Sequence, residues 1–553
     1  MTALEERTDR ALRFAASFER SGDVGMLDRA IGVFAEVVAA GDDTSPNRAR
    51  HLDNLGVALL SRFEAMHDRA ALARALACAR RATTEGPGRH PDHALHLSNL
   101  ANTALAWFDE TGEAPVLDEA VTAGDTAVQQ GAADEHEALF RETARAARVR
   151  RFEQHVARAV ADGESFARTS SPDDLAAAVA AGRAAVADAP TDEPRRWTAW
   201  SNLSNVLRMR FELLGDGADL TEAVELGRTA LRLAEDGAAP VPGNPDPRSS
   251  CAVNLAAALL ARLLAGGPTG DADEVIDLGR LIIDDAGTPD AHRILLMSHL
   301  VGALQERAHR ALDHVAARPD LDDAVTLSHQ LVALPEPEDR GLHLANLTNC
   351  LLTRNDSDDV DAAVGAADEA VRLLRPGTQA WARAAATRAT AYATRWLSTH
   401  DDGDATTALT QQVAVAGSAA AAAEVRLGAA RDAAALATRC GNASLALDAA
   451  RTAVGLLPLV AWRGLDRSSR TGRLARWPDV GLDAAAVAVL GGWPREATML
   501  LEQGRGVLWA QTLDTRGELH LLRLQAPALA TRMAQVRDAL DGGPDRPAMP
   551  GRS

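Results

Sequence analysis

The chain has 553 residues, 46% of them apolar but only 3% aromatic, and a formal charge of −19. Its apolar side chains are chiefly alanine, leucine and valine, which suit closely packed helices better than strand-rich sandwiches. All 58 basic residues are arginine. The absence of lysine excludes a Walker-type phosphate loop and a Schiff-base lysine, and the acidic balance opposes binding to a nucleic-acid backbone.

The first residues, Met1 to Arg7, carry charge and no apolar run, so no secretory signal is expected there. The most apolar stretches, 413–423 and 484–490, are too short to span a bilayer. Cys78, Cys251, Cys350 and Cys440 show no C-x-x-C spacing and fall in alanine-rich helical stretches, where cysteine acts as a small buried hydrophobe. A cytoplasmic protein with reduced thiols and no membrane association is the expectation.

From Leu27 onward a cassette recurs: N-L-x-x-x-L, then 18 residues later L-x-x-A-V/L-x-x-G/A. Copies begin at Asn54, Asn99, Asn202 and Asn254, with second halves at Leu72, Leu117, Leu220 and Ala272. The steps Leu27 to Leu72, Leu72 to Leu117 and Leu175 to Leu220 are each 45 residues. Such a period marks a solenoid whose units bury apolar faces on their neighbours. Leu52, Leu55, Leu59, Leu60 and Phe63 lie on one helix face, as do Leu117, Ala120, Val121, Gly124 and Val128. Glycine-containing turns (Ser21-Gly22-Asp23, Thr111-Gly112-Glu113, Gly215-Asp216-Gly217) join the two helices of a unit, and prolines separate units. The fold class is therefore all-α, a right-handed α-solenoid of tetratricopeptide-like helix-turn-helix repeats.

The step from Leu117 to Leu175 is longer, and the extra residues are expected around 162–174 as an insertion. The cassette fades near 405. The organisation read from this is a repeat array over 1–440, a C-terminal helical capping block over 441–540 holding four of the nine tryptophans, and a disordered tail over 541–553.

Stacking turns recurring positions into columns. The first is Asn54, Asn99, Asn202, Asn254 and Asn346, with His299 in one copy and further amides at Asn102, Asn205 and Asn349. Residues three apart share a helix face. An amide both donates and accepts, so this strip is either a clamp for a peptide backbone on the concave side or a buried ladder between repeats. The second column is Arg62, Arg210, Arg262, Arg307 and Arg354, with Arg13, Arg151 and Arg395 matched through a local Arg-Phe or Arg-Trp pair. Its readings are a bridge to a nearby carboxylate within the repeat or an anchor supporting an acidic ligand.

Other candidates are weaker. His90, His93 and His96 lack the further ligands of a metal motif. His343 and Cys350 share a helix face, but nothing beside them supplies an activated thiolate. Gly504 and Gly506 lie in a helical stretch from Leu500 to Trp509, where interior glycine suggests close approach by another backbone. No catalytic residue, metal site or cofactor emerges.

The repeat with its N-L and R-F pairs, Gly88-Arg89-His90-Pro91-Asp92, the run Leu457 to Arg467, and the stretch Leu501-Glu502-Gln503-Gly504-Arg505-Gly506-Val507-Leu508-Trp509 together resemble the tetratricopeptide-type arrays of actinobacterial CHAT proteins. In that family a caspase-like protease domain lies downstream of the last motif. Here no strand pattern follows it, so no catalytic residue carries over. The resemblance implies the sensor or scaffold half, with a protease partner engaging the C-terminal block in trans. The residues themselves point to a non-catalytic scaffold binding a protein or peptide.

Overall fold

The computed structural model describes residues 3–41, 45, 47–85, 92–131, 135–169, 171–241, 246–311, 314–334, 337–461, 471, 473–507, 522 and 526–541. It divides into two compact units, residues 1–203 with 237–239, and residues 204–236 with 240–553. The regular elements among the described residues are helices.

In the first unit four hairpins follow one another: α1 (Ala3–Ser21) with α2 (Val24–Ala40), α3 (Arg48–Met66) with α4 (Arg69–Thr84), α5 (His93–Thr111) with α6 (Ala114–Gln130), and α7 (Glu137–Thr169) with α8 (Pro172–Asp188). The division between units falls within α9 (Trp197–Leu214). The second unit continues with α10 (Gly217–Glu235), α11 (Pro247–Leu264), α12 (Gly270–Ile283), α13 (Asp290–Arg310), α14 (His314–Val332), α15 (Pro337–Arg354) and α16 (Asp359–Leu373). Next come α17 (Gln379–Thr399), α18 (Asp402–Gly417), α19 (Ala423–Arg439), α20 (Ala443–Val460), α21 (Val480–Leu490), α22 (Pro494–Arg505) and α23 (Pro527–Asp541). The architecture is an α-solenoid of tetratricopeptide-like hairpins in each unit.

The cassette has a direct packing meaning. Glycine in the second helix receives the leucine of the N-L pair in the next hairpin. A Cβ on Gly182 would lie 3.0 Å from the Leu203 side chain, and one on Gly227 3.1 Å from that of Leu255. Missing side chains at these points let successive helices approach, and the leucines are sealed: Leu203, Leu255 and Leu300 are 1–3% exposed.

Inside the hairpins, Asp23, Asp68 and Asp216 cap the second helices by accepting backbone N–H bonds. The turn residue before the cap takes a left-handed conformation. Gly112 has φ +72 and Gly215 φ +81, but His67 (φ 52) and His400 (φ 57) occupy the same place without glycine's freedom. Each histidine ring sits against an aromatic one turn earlier, His67 on Phe63 at 6.0 Å and His400 on Trp396 at 5.9 Å, which offsets part of the strain.

The structure adds detail to several expectations and corrects some of them. The extra residues after 162 prolong α7 into a single 33-residue helix. Its end is fastened to α8 by Ser165 and Thr169, whose hydroxyls donate to Asp174 at 2.7 and 2.9 Å. Gly163 lies inside that helix and breaks nothing. Arg13 is out of register: Gly22 N–H bonds to Phe18 O as Gly112 N–H does to Phe108 O, so Phe18 is the aromatic equivalent and Ser17 holds the arginine position. Cys440 is exposed at the C-cap of α19, while Cys251 and Cys350 are buried; all four cysteines are free.

The change of character expected at residue 440 falls in the turn of the α19/α20 hairpin. One apolar core there runs continuously from Val415 through Leu427 and Leu457 to Leu500. α22 ends at Arg505, so Gly506 is its C-cap; Gly504 alone is interior, and a Cβ on it would come 2.6 Å from the Cα of Gly481. The expected close approach is this crossing of α21 and α22. α20 is long and apolar enough to cross a membrane by length and composition, yet half of it is buried inside the protein. The proposed tail, apart from Asp541, lies outside the described residues, as do Gly88 to Pro91 and Trp462 to Arg467.

Candidate functional site

First helices of successive hairpins approach one another in both units. In the first, α3 meets α5 and α5 meets α7; in the second, α11 meets α13, α15 meets α17 and α17 meets α19. These first-helix contacts recur along each unit.

The asparagine column lies on these first helices and is only partly buried. Asn54, Asn99, Asn202, Asn205 and Asn254 are half-buried, and Asn102, Asn346 and Asn349 are exposed. Asn99 Nδ2 donates to Asp53 Oδ2 at 2.9 Å, a bond between adjacent hairpins. Asn205 Oδ1 accepts from Arg208 at 2.8 Å. The side chains of Asn54, Asn102, Asn202, Asn346 and Asn349 bond to none of the described residues. Exposed leucines stand one turn before the column position, at Leu295 and Leu342.

The arginine column is arranged differently. Apart from Arg62, each arginine grips an aspartate of its own hairpin's second helix with two nitrogens, in the first turn except at Asp320. The paired distances are 2.7 and 2.7 Å for Arg262–Asp271, 2.7 and 2.7 Å for Arg307–Asp320, and 2.9 and 2.6 Å for Arg354–Asp359. Arg210 holds Asp219 in the same way, its Nε at 2.8 Å. Arg62 reaches Asp68 at 3.5 Å, and Arg395 binds Asp404 at 2.8 and 2.7 Å.

A further nitrogen bridges backwards to the preceding hairpin: Arg62 to Asp28 (3.2 Å), Arg307 to Asp273 (2.7 Å) and Arg354 to Asp322 (3.3 Å). The Arg354 guanidinium holds the Asp359 carboxyl below its ordinary range. These arginines brace the array, and their planar forks are occupied by carboxylate.

The aspartate partners carry a sequence signal that periodicity of apolar residues does not reveal. Asp219, Asp271, Asp320 and Asp359 stand immediately before the leucine position of the cassette, and Asp28, Asp273, Asp322 and Asp361 immediately after it. The copy with Trp107 in the arginine place follows one whose after-leucine residue is Ala73. A second ladder joins second helices: Arg80 to Glu119 (2.9 Å), Arg228 to Glu274 (2.9 Å) and Arg280 to Asp323 (2.7 Å).

A third column went unread in the sequence. His51, His96 and His343 each precede a column asparagine by one helical turn, giving H-x-x-N three times, and each is buried. Burial pulls the pKa values of His51 and His343 down. His96 lies 3.2 Å from Asp53 in the interior between α3 and α5, where the metal reading would have needed open ligands. No group of metal-binding side chains occurs among the described residues. Cys350 faces Ser328 at 3.3 Å rather than a base, and burial pushes its thiol up to about 11. In the second unit His299 occupies the asparagine place, with burial, then the Arg208 charge, lowering its pKa to about 4.

No family model matches the sequence, and no curated protein matches it. Among solved structures, the chain is similar to yeast Tom70, with 14% identity over 89% of this chain and 99% of that one, at a TM-score of 0.31. It is also similar to a signal transduction ATPase with a tetratricopeptide repeat sensor from Pyrococcus horikoshii, with 11% identity over 88% and 66% of the chains and a TM-score of 0.37. A human IFIT1 dimer with m7Gppp-AAAA gives 11% identity over 91% and 94%, at a TM-score of 0.34.

Proposed function

We propose that the protein is a non-catalytic scaffold or sensor that binds a peptide or protein partner on the inner, first-helix side of its hairpins. The observation carrying this reading is the contrast between the two polar columns. Arginines from Arg210 to Arg354 are held by aspartates, whereas Asn102, Asn346 and Asn349 hold exposed amides with no bond to the described residues, and Leu342 stands exposed beside Asn346. Amides next to leucine suit an extended peptide, whose backbone needs both donors and acceptors. The acidic balance favours a partner without a phosphate backbone, and free cysteines accord with a cytoplasmic setting.

The test is selection of random peptides against the intact chain and against Asn102→Ala/Asn346→Ala/Asn349→Ala. Peptides kept by the first and lost by the second, at unchanged melting temperature, support the reading. Equal selection by both, or a large drop in melting temperature, sinks it.

A second reading is the regulatory module of a CHAT-type, caspase-like protease system acting in trans. It is favoured by Leu482, Val489, Leu490 and Met499, each at least 55% exposed on α21 and α22, beside the stretch that carries the resemblance.

A further inference from the structure

Residues 473–477 lie between α20 and α21 in sequence, yet they reach back within the second unit to the last turn of α9. Arg473 Nη2 donates to the carbonyl oxygens of Glu212 and Leu213, each at 3.4 Å, and a Cβ on Gly215 would meet its Nε at 3.1 Å. The last carbonyls of a helix have no partners within it and carry the negative end of its dipole, so a guanidinium is well matched there. One turn further, Trp477 lies on α19: a Cβ on Gly428 would be 3.5 Å from its ring. Between them Leu474 joins the apolar core of the unit, and Arg476 pairs with Glu424 at 3.5 Å.

Gly428 is not an arbitrary neighbour. It precedes the left-handed turn residue Gly441 by the same interval that separates Asn99 from Gly112 and Asn202 from Gly215. Glycine therefore stands where the asparagine column would continue, and the indole fills the space that an amide would take. The attachment is weak. The Arg473 bonds are long, and the Trp477 indole N–H is buried without a partner.

We propose that Arg473 to Trp477 is an internal ligand of the second unit's inner face. The partner it stands in for is a peptide carrying an arginine and, one helical turn later, a tryptophan. The proposal rests on the scaffold reading and adds to it a ligand class and a form of self-restraint. An incoming peptide with the same pair of side chains, and a partner for the indole N–H, displaces the chain's own segment.

The probe is a fluorescent peptide of residues 471–479, titrated into the full-length chain and followed by anisotropy. If the internal segment is docked about nine-tenths of the time, the apparent Kd of the native chain is weakened about tenfold. Arg473→Ala/Trp477→Ala should thus bind the probe about tenfold more tightly than the native chain, and Arg473→Ala alone should fall between them. Adding Gly428→Leu to the double variant should remove binding while leaving its melting temperature within a few degrees. Equal affinity for native and disarmed chains, no binding to either, or binding that survives Gly428→Leu overturns the proposal. Failure of the wider scaffold reading shows separately, as unchanged peptide selection in the asparagine variants.

Discussion

Replacing His299 with asparagine restores the column residue and should remove a specific acid sensitivity. Burial, reinforced by Arg208, lowers the His299 pKa from 6.5 to about 4. The imidazole is thus neutral in the folded chain over a range where the unfolded chain would bind a proton. Its contribution to stability is fully present above pH 6.5 and is lost as the pH falls towards 4. A tenfold difference in proton affinity between the two states is worth about 1.4 kcal/mol. Linkage therefore gives a loss of about 2 kcal/mol between pH 7 and pH 5. Other titrating groups contribute equally to the parent and to His299→Asn, so their difference isolates this residue. The assay is urea unfolding of both chains at pH 7 and pH 5. Hydrogen exchange of the α13 amides should accompany it, since a repeat array can open in parts. Acidification should weaken the parent by about 2 kcal/mol more than the variant. Parallel pH dependence in the two chains would refute the reasoning.

Two further outcomes follow from the packing. Asp271 is 3% exposed and Arg262 18%, so Arg262→Ala strands a buried carboxylate and should cost about 2–3 kcal/mol in denaturant unfolding. Arg262→Ala/Asp271→Ala should cost less than Arg262→Ala alone, and Arg80→Ala, from an exposed pair, about 0.5 kcal/mol; equal losses at both sites would show that burial does not set the value. Gly504→Val places methyl groups beyond a Cβ already 2.6 Å from Gly481 and should lower stability by about 1–3 kcal/mol. An unchanged melting temperature would mean that α21 and α22 do not cross as closely as described.

The repeat plan was legible because it rests on residues that act locally: leucines at helical spacing, aspartate caps and turn glycines. Gly182 and Leu203 could be recognised as cassette positions but not as a contact, since their meeting depends on how one hairpin lies on the next. The aspartates flanking the leucine position were overlooked for a related reason. A charged residue beside a core leucine reads as a solvated face until the arginine of the following hairpin is placed over it. Reading the cassette copy by copy could have found this, because Trp107 in one copy coincides with Ala73 in the copy before. The place of the insertion after 162 was legible but its helical form was not, because Gly163 and the Ser170-Ser171-Pro172 cluster do not favour helix. In the fold, a glycine inside a long helix costs only about 1 kcal/mol, and two hydroxyls on Asp174 secure the helix end. Nothing local announces the return of Arg473 to α9, which joins residues about 260 positions apart.

The same helices carry both polar columns, and on the scaffold reading proposed above their separation would let such an array bind without losing its shape. A scaffold whose binding groups also held its repeats together would loosen whenever a ligand engaged them. Here the inter-repeat connections run through Arg307 to Asp273 and Arg354 to Asp322, and through Arg228 to Glu274 on the second helices. Asn346 and Asn349 take no part in those connections. Asn99 is the exception, bonded to the Asp53 carboxylate that also faces buried His96. Amides of the first kind can change with the ligand at little structural cost, whereas substitution at Asn99 removes a bond between hairpins and leaves a buried carboxylate short of a donor. Binding and bracing can therefore be told apart position by position. On the scaffold reading proposed above, the exposed column amides are the ones available to a partner, whereas Asn99 is held in a bond between hairpins.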